Sequence, residues 1–211
     1  MHARVAAFEN PRFGDASIVD ALTKRARESA PQWQEALRGA QGNLTLVDPD
    51  SCRGLGITFF GSEDEIRQAE PVFERMGDEV PEEERGRRTS VDVFEVGVQE
   101  VAGRDPRAAR VSRLEGDPGK IDESTRRGRE EFVPRLREIP GFLGAYSLHD
   151  RGSGRTVLVT LWESVEAMRS SEEQANRLRD QSAESAGGRV SAVERYQVAF
   201  AQLPARVGAT G

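Results

Sequence analysis

The stretch Arg155-Thr156-Val157-Leu158-Val159-Thr160-Leu161-Trp162 reads as a β-strand, since β-branched and apolar residues fill nearly every position. Just before it, Asp150-Arg151-Gly152-Ser153-Gly154 has the composition of a hairpin turn, and Phe142 to His149 is the partner strand. Just after it, Ser164 is a helix N-cap, and Met168, Ser171, Ala175 and Leu178 fall on one face of the next helix. Gly187-Gly188 ends that helix, and Val190 to Phe200 is a last strand on which Tyr196, Val198 and Phe200 alternate. Upstream, Arg110 to Leu114 is a short strand and Asp117-Pro118-Gly119 a turn. Lys120 to Glu138 is a helix rich in Arg and Glu, kinked or divided by Pro134 and closed by Pro140-Gly141. The order βαββαβ is that of the ferredoxin-like split βαβ unit.

The same order lies upstream, offset by 102 positions. Gly14 and Asp15 meet Gly116 and Asp117, Gly39 and Gly42 meet Gly141 and Gly144, and Leu46, Asp48, Ser51 and Arg53 meet Leu148, Asp150, Ser153 and Arg155. At the front the register moves by four, so that Ala3-Arg4-Val5 matches Ala109-Arg110-Val111. Ile18, Leu22, Ala26, Ala30, Trp33 and Leu37 mark one face of the first helix, and Ser62-Glu63-Asp64-Glu65 is a capping box opening the second. Phe94, Val96 and Val98 alternate on the strand that ends this half. The chain is therefore read as α+β, a tandem pair of ferredoxin-like repeats over residues 1–100 and 110–203, with a linker over 101–109 and a tail over 204–211. Helices cover one face of each four-stranded sheet. The other, apolar face needs a cover, and the second repeat supplies it if the two close an intrachain dimeric α/β barrel.

Composition narrows the function. The net charge is -6, and the basic residues, all Arg apart from Lys24 and Lys120, are interspersed with carboxylates. This opposes a nucleic-acid backbone as partner. The single cysteine, Cys52, sits in a polar turn and excludes an intrachain disulfide. No segment has the apolar length of a membrane span, and the N-terminus lacks an apolar stretch of signal-peptide length, so the expected location is the cytoplasm. His2 and His149 are the only histidines, and neither has a second His or Cys at ligand spacing, so no metal is expected.

Ile139-Pro140-Gly141-Phe142-Leu143-Gly144-Ala145-Tyr146, followed by Val159-Thr160-Leu161-Trp162-Glu163-Ser164, resembles the antibiotic-biosynthesis-monooxygenase-like (ABM-like) members of the dimeric α/β-barrel superfamily. A Pro-Gly-Phe turn starts strand 2 there, and a Trp-x-Ser step leads from strand 3 into helix 2. The first half departs from it: Arg38-Gly39-Ala40 and Phe60-Gly61-Ser62 stand at the matching places. The resemblance implies one of several activities. The haem-degrading members hold iron with a histidine on helix 2, and neither Glu63 to Glu84 nor Val165 to Ala186 contains one. The cofactor-free oxygenases need a pocket that holds an electron-rich aromatic and stabilises its anion. The candidate pocket residues are Arg113, Tyr146, His149, Trp162 and Tyr196. Core packing is the competing role for Trp162 and Tyr196. Two functions stay open: a cofactor-independent monooxygenase of small phenols or quinols, and a noncatalytic ligand-binding or structural barrel. A small aromatic ligand is the expected partner of the first, and further homo-oligomerisation is compatible with either. RNA-recognition motifs share the topology, but neither strand 3 carries their basic-aromatic run.

Overall fold

The computed structural model describes residues 1–204 other than Glu82 and Arg104. The tail read over 204–211 lies, from residue 205 on, outside the described residues. The first half runs β1 (His2–Glu9), a 3₁₀ turn, α1 (Ala16–Ala36), β2 (Ala40–Asp48), β3 (Arg53–Phe60), α2 (Glu63–Glu79) and β4 (Arg87–Val101). The second runs β5 (Ala108–Glu115), a 3₁₀ turn, α3 (Ile121–Arg127), a π-helical turn (Gly128–Phe132), α4 (Val133–Arg137), β6 (Phe142–His149), β7 (Arg155–Trp162), α5 (Val165–Ser170), α6 (Glu172–Ser185) and β8 (Arg189–Gln202). The strands hydrogen-bond in the order β1-β3-β2-β8-β5-β7-β6-β4 as a closed barrel. Each half thus follows the ferredoxin-like order, with its fourth strand beside its first.

Two compact units divide the chain, cut between Val93 and Phe94 and between Tyr196 and Gln197. Both cuts fall inside strands: β4 and β8 are 15 and 14 residues long, against 8 or 9 for the others. Unit 1 holds β1, β2 and β3 with the end of β8, and unit 2 holds β5, β6 and β7 with the end of β4.

The irregularities recur in step. Gln41 bulges out of the β2–β3 ladder and Leu143 out of β6–β7. Ala199 bulges from β8 against β2, and Gly97 from β4 against β6. Each pair is 102 positions apart. The bulges interrupt the strict alternation expected along β4 and β8, because one extra residue turns the rest of the strand to the other face.

Local sequence accounts for the helix ends. Ser62 and Glu65 form the expected capping box, and Glu65 also accepts from the Gly61 amide at 2.7 Å. Ser164 caps α5 through the Ala167 amide at 3.0 Å. Gly141 takes a left-handed φ of +78°, and a Cβ there would lie 2.5 Å from that of Ala167, so glycine is needed where the chain enters β6. The segment expected as a helix kinked or divided at Pro134 is continuous but opens into the π-turn just before it. The proline lacks an amide to give the ladder, and the wider turn absorbs the mismatch. The face read on the last helix is buried as expected, at Met168, Ser171, Ala175 and Leu178, although the helix breaks at Ser171.

Candidate functional site

Unit 2 contains a cavity of about 90 Å³ between the strands β5, β6 and β7 and the helical layer of α3, the π-turn, α4 and α6. That is room for several water molecules, and less than the roughly 150 Å³ that takes up benzene. Val98, Leu114, Phe132, Val133, Leu136 and Leu178 make its apolar wall. Its polar groups are Arg110, Ser112, Ser124, Tyr146, Ser147, His149, Thr156, Thr160, Arg179 and Ser182. A groove of about 350 Å³ lined by Glu95, Asp122, Arg126, Arg129, Glu130 and Arg151 is open and charged. Its arginines are already engaged: Arg151 by Glu95 and Asp122, Arg126 by Glu130, and Arg129 by the Gly97 carbonyl.

His149 ends β6 with 4% of its surface exposed. Its Nδ1 lies 2.9 Å from Thr156 Oγ1, and its Nε2 lies 2.7 Å from Ser147 Oγ and 3.3 Å from Thr125 Oγ1. Hydroxyls donate or accept as required, so they match a neutral imidazole with one N–H. Burial brings its pKa down to about 4. Tyr146, two strand positions from Leu148 and on the cavity wall, is 1% exposed, and burial pushes its phenol up from the ordinary value.

Arg110 is 2% exposed on β5. Its Nη2 donates to the Met168 carbonyl at 2.5 Å, to Glu172 Oε2 at 2.9 Å and to Ser171 Oγ at 3.2 Å. Its Nε and Nη1 are buried with no acceptor within hydrogen-bond distance among the described residues. The guanidinium also lies 5.4 Å from the Trp162 ring. Burial lowers its pKa, Glu172 opposes that, and the charges of Arg195 and Arg179 add to the lowering. Burial raises the Glu172 carboxyl, but Arg195 and Arg110 outweigh it and hold the group below its ordinary value.

Of the five residues singled out from sequence, Tyr146 and His149 meet on this cavity. Arg113 is half-buried and pairs with Glu194 at 3.1 Å. Trp162 has no exposed surface; it packs edge-on against Phe142 with ring centres 5.8 Å apart and donates from Nε1 to Thr160 Oγ1 at 3.0 Å. Tyr196 is buried on β8 and is not among the lining residues. The residues that sequence reasoning passed over are Arg110, Arg179, Ser124 and Ser147. The Arg4–Arg110 match in the two halves carried the signal for the first.

The two units differ at these positions. At the matching places unit 1 has Leu22 for Ser124, Leu44 for Tyr146, Val47 for His149 and Gly77 for Arg179. Leu44 and Val47 are buried core residues. Arg4, the counterpart of Arg110, is bound by Glu70 through two nitrogens, Nε at 2.8 Å and Nη2 at 2.6 Å.

A protein described as a "putative monooxygenase" from Lactobacillus acidophilus NCFM superposes with a TM-score of 0.61 over 95% of each chain, at 11% identity. An anthrone oxidase-like protein superposes with a TM-score of 0.59 over 95% of this chain and 92% of its own, at 14% identity. A ferredoxin-fold protein related to antibiotic biosynthesis monooxygenases, from Listeria monocytogenes 4b F2365, does so at 0.52 over 93% and 94%, at 7% identity. The chain has the ABM-like barrel fold. These identities carry the fold and not the activity. No family model matches the sequence. Two Mycobacterium tuberculosis H37Rv proteins, called uncharacterized proteins Rv2557 and Rv2558, are each 36% identical, over 91 and 92 residues. Those matches take in 43% and 44% of this chain but only 40% and 39% of the relatives' length. Among the described residues no group of three or more His, Cys, Asp or Glu is placed to hold a metal ion, and no helix is long and apolar enough to cross a membrane.

Proposed function

We propose that this ABM-like chain binds a small phenol or quinol in the cavity of unit 2 and oxidises it with O₂ without a cofactor. The observation that carries the reading is the polar set Tyr146, His149 and Arg110 on one cavity, where unit 1 puts Leu44 and Val47 and closes its arginine with Glu70. The matched bulges support a tandem duplication.

Burial makes His149 a weak base, so Ser147 Oγ, 2.7 Å from its Nε2, passes on the substrate's phenolic proton only as Arg110 draws the phenol oxygen to its anion. Arg110 stabilises the resulting phenolate, a charge placed against a fixed donor in a site of low dielectric. The electron-rich anion reduces O₂. One oxygen atom enters the ring as a new C=O, and the other leaves with two substrate hydrogens as water, so phenol plus O₂ gives quinone plus water.

One observation favours the noncatalytic alternative: both ring nitrogens of His149 already face hydroxyl groups of the protein. Oxygen uptake on a panel of phenols and hydroquinones separates the two. Enzyme-dependent uptake that is lost in Ser124→Leu, which puts on the cavity wall the larger residue that unit 1 has at Leu22, supports the oxygenase. No uptake, together with ligand-dependent thermal stabilisation lost in the same variant, supports the binding protein.

A further inference from the structure

Resting on the reading that the unit 2 cavity is the ligand site, we infer that its ligand carries a carboxylate, held by Arg110 and Arg179. Three observations lead there. Arg110 is almost fully buried, and its Nε and Nη1 have no acceptor among the described residues. Buried donors are rarely left unmatched, and unmatched ones on a guanidinium are costly. Arg179, which lines the same cavity, likewise has Nε and Nη1 buried with no hydrogen-bond acceptor among the described residues; Asp180 Oδ1, 3.6 Å from its Nε, is an ion-pair partner beyond hydrogen-bond distance.

The second observation is charge. Arg110 and Arg195 both bond to one partly buried carboxylate, Glu172, Arg195 through its Oε1 at 2.5 Å, and the charge of Arg179 acts on Arg110. With Asp180 beside Arg179, three arginines meet two carboxylates, and Arg110 and Arg179 are the two on the cavity wall. An anion that arrives already ionised balances the remaining positive charge, whereas a neutral phenol does so only after losing its proton.

The third is the control inside the molecule. At the matching place in unit 1, Arg4 presents Nε and Nη2 side by side to both oxygens of Glu70. This is the two-pronged geometry that guanidinium groups favour with carboxylates. Arg110 gives Glu172 only Nη2, and its Nε stays open. The ligand's carboxylate takes for Arg110 the place that Glu70 takes for Arg4. Arg179 has no counterpart in unit 1, where Gly77 stands. The apolar wall of Leu114, Phe132, Val133 and Leu136 receives the rest of the molecule, and a cavity of about 90 Å³ limits it to a single ring or a short chain.

The test is calorimetric titration of the full chain at pH 7 with benzoate and with benzamide, which has the same shape and no charge. Benzoate is expected to bind about tenfold or more tightly than benzamide, as a charge-assisted hydrogen bond implies. Arg179→Met, checked for folding by circular dichroism, is expected to remove that margin and leave benzamide unchanged. Equal binding of the two, with both lost in Ser124→Leu, overturns the carboxylate inference and leaves the cavity as the site. Benzoate binding that survives Ser124→Leu places the ligand elsewhere and overturns the underlying reading as well. Binding of neither probe, with phenol-dependent oxygen uptake intact, overturns this inference alone; without uptake, both fall.

Discussion

Arg110 donates to Glu172 through a single nitrogen, Nη2 to Oε2 at 2.9 Å, on the wall of the unit 2 cavity. The pair occupies the same places in its half as Arg4 and Glu70 in theirs, yet Arg4 is closed by two bonds. One arginine completes a core, while the other keeps donors in hand. Both guanidinium groups are buried, so removing either carboxylate strands a buried charge. Glu70→Ala and Glu172→Ala should each cost about 3 kcal/mol in urea unfolding, the lower part of the range for stranding a buried charge, since both glutamates are about a third exposed. A loss under about 1 kcal/mol at either site would contradict this account of the pair.

His149 sets an acid sensitivity of known sign. Its pKa is lowered to about 4 in the folded chain from 6.5. The unfolded chain therefore takes up this proton first as pH falls. The stabilisation is complete above about pH 6.5 and is lost as pH falls toward 4, by about 3 kcal/mol in all. His149→Val, with the residue unit 1 has at Val47, should flatten urea midpoints between pH 6.5 and 4.5, above the range where the carboxylates titrate. An unchanged slope would show that the ring is not held neutral by burial.

Gly97 holds the histidine from the other side. A Cβ at Gly97 would lie 2.6 Å from His149 Cδ2 and 2.8 Å from Thr125 Oγ1. The β4 bulge brings this backbone against the ring, which leaves no room for a side chain. Gly97→Ala should cost about 1–3 kcal/mol by overpacking and move the imidazole proton resonances of His149. Resonances that stay in place would mean that the network does not rest on this bulge.

Trp162 should behave as a core residue. Its unit 1 counterpart is Phe60, also without exposed surface. Trp162→Phe should cost less than about 1.5 kcal/mol, and Trp162→Ala about 3–5 kcal/mol, in thermal or urea unfolding. A full-sized loss of ligand binding in Trp162→Phe with stability intact would return Trp162 to the site.

Much of the fold was legible in the chain. The strands read at 142–149 and 155–162 form with those bounds, because hairpin composition and β-branched runs are local signals. The π-turn before Pro134 and the bulges at Gly97 and Ala199 were not legible, since they settle mismatches that exist only once helices and ladders are paired. For the site, sequence pointed to rare residue types. Of these, Tyr146 and His149 line the cavity and Trp162 and Tyr196 do not, and periodicity does not distinguish a buried core position from a cavity wall. Arg110 hid among the many arginines of the chain. What sets it apart is the burial of a strand position and the missing acceptor for Nε, and neither is written in the local sequence.

The central claim is that the second unit alone holds a ligand site, and amide chemical-shift mapping with phenol tests it most directly. The account predicts saturable shifts on Arg110 to Leu114, Ser124 to Leu136, Ala145 to His149 and Ala175 to Ala186, with none on the matching residues of unit 1, and their loss in Ser124→Leu. Shifts of equal size in both units, or shifts that persist in Ser124→Leu, would contradict it.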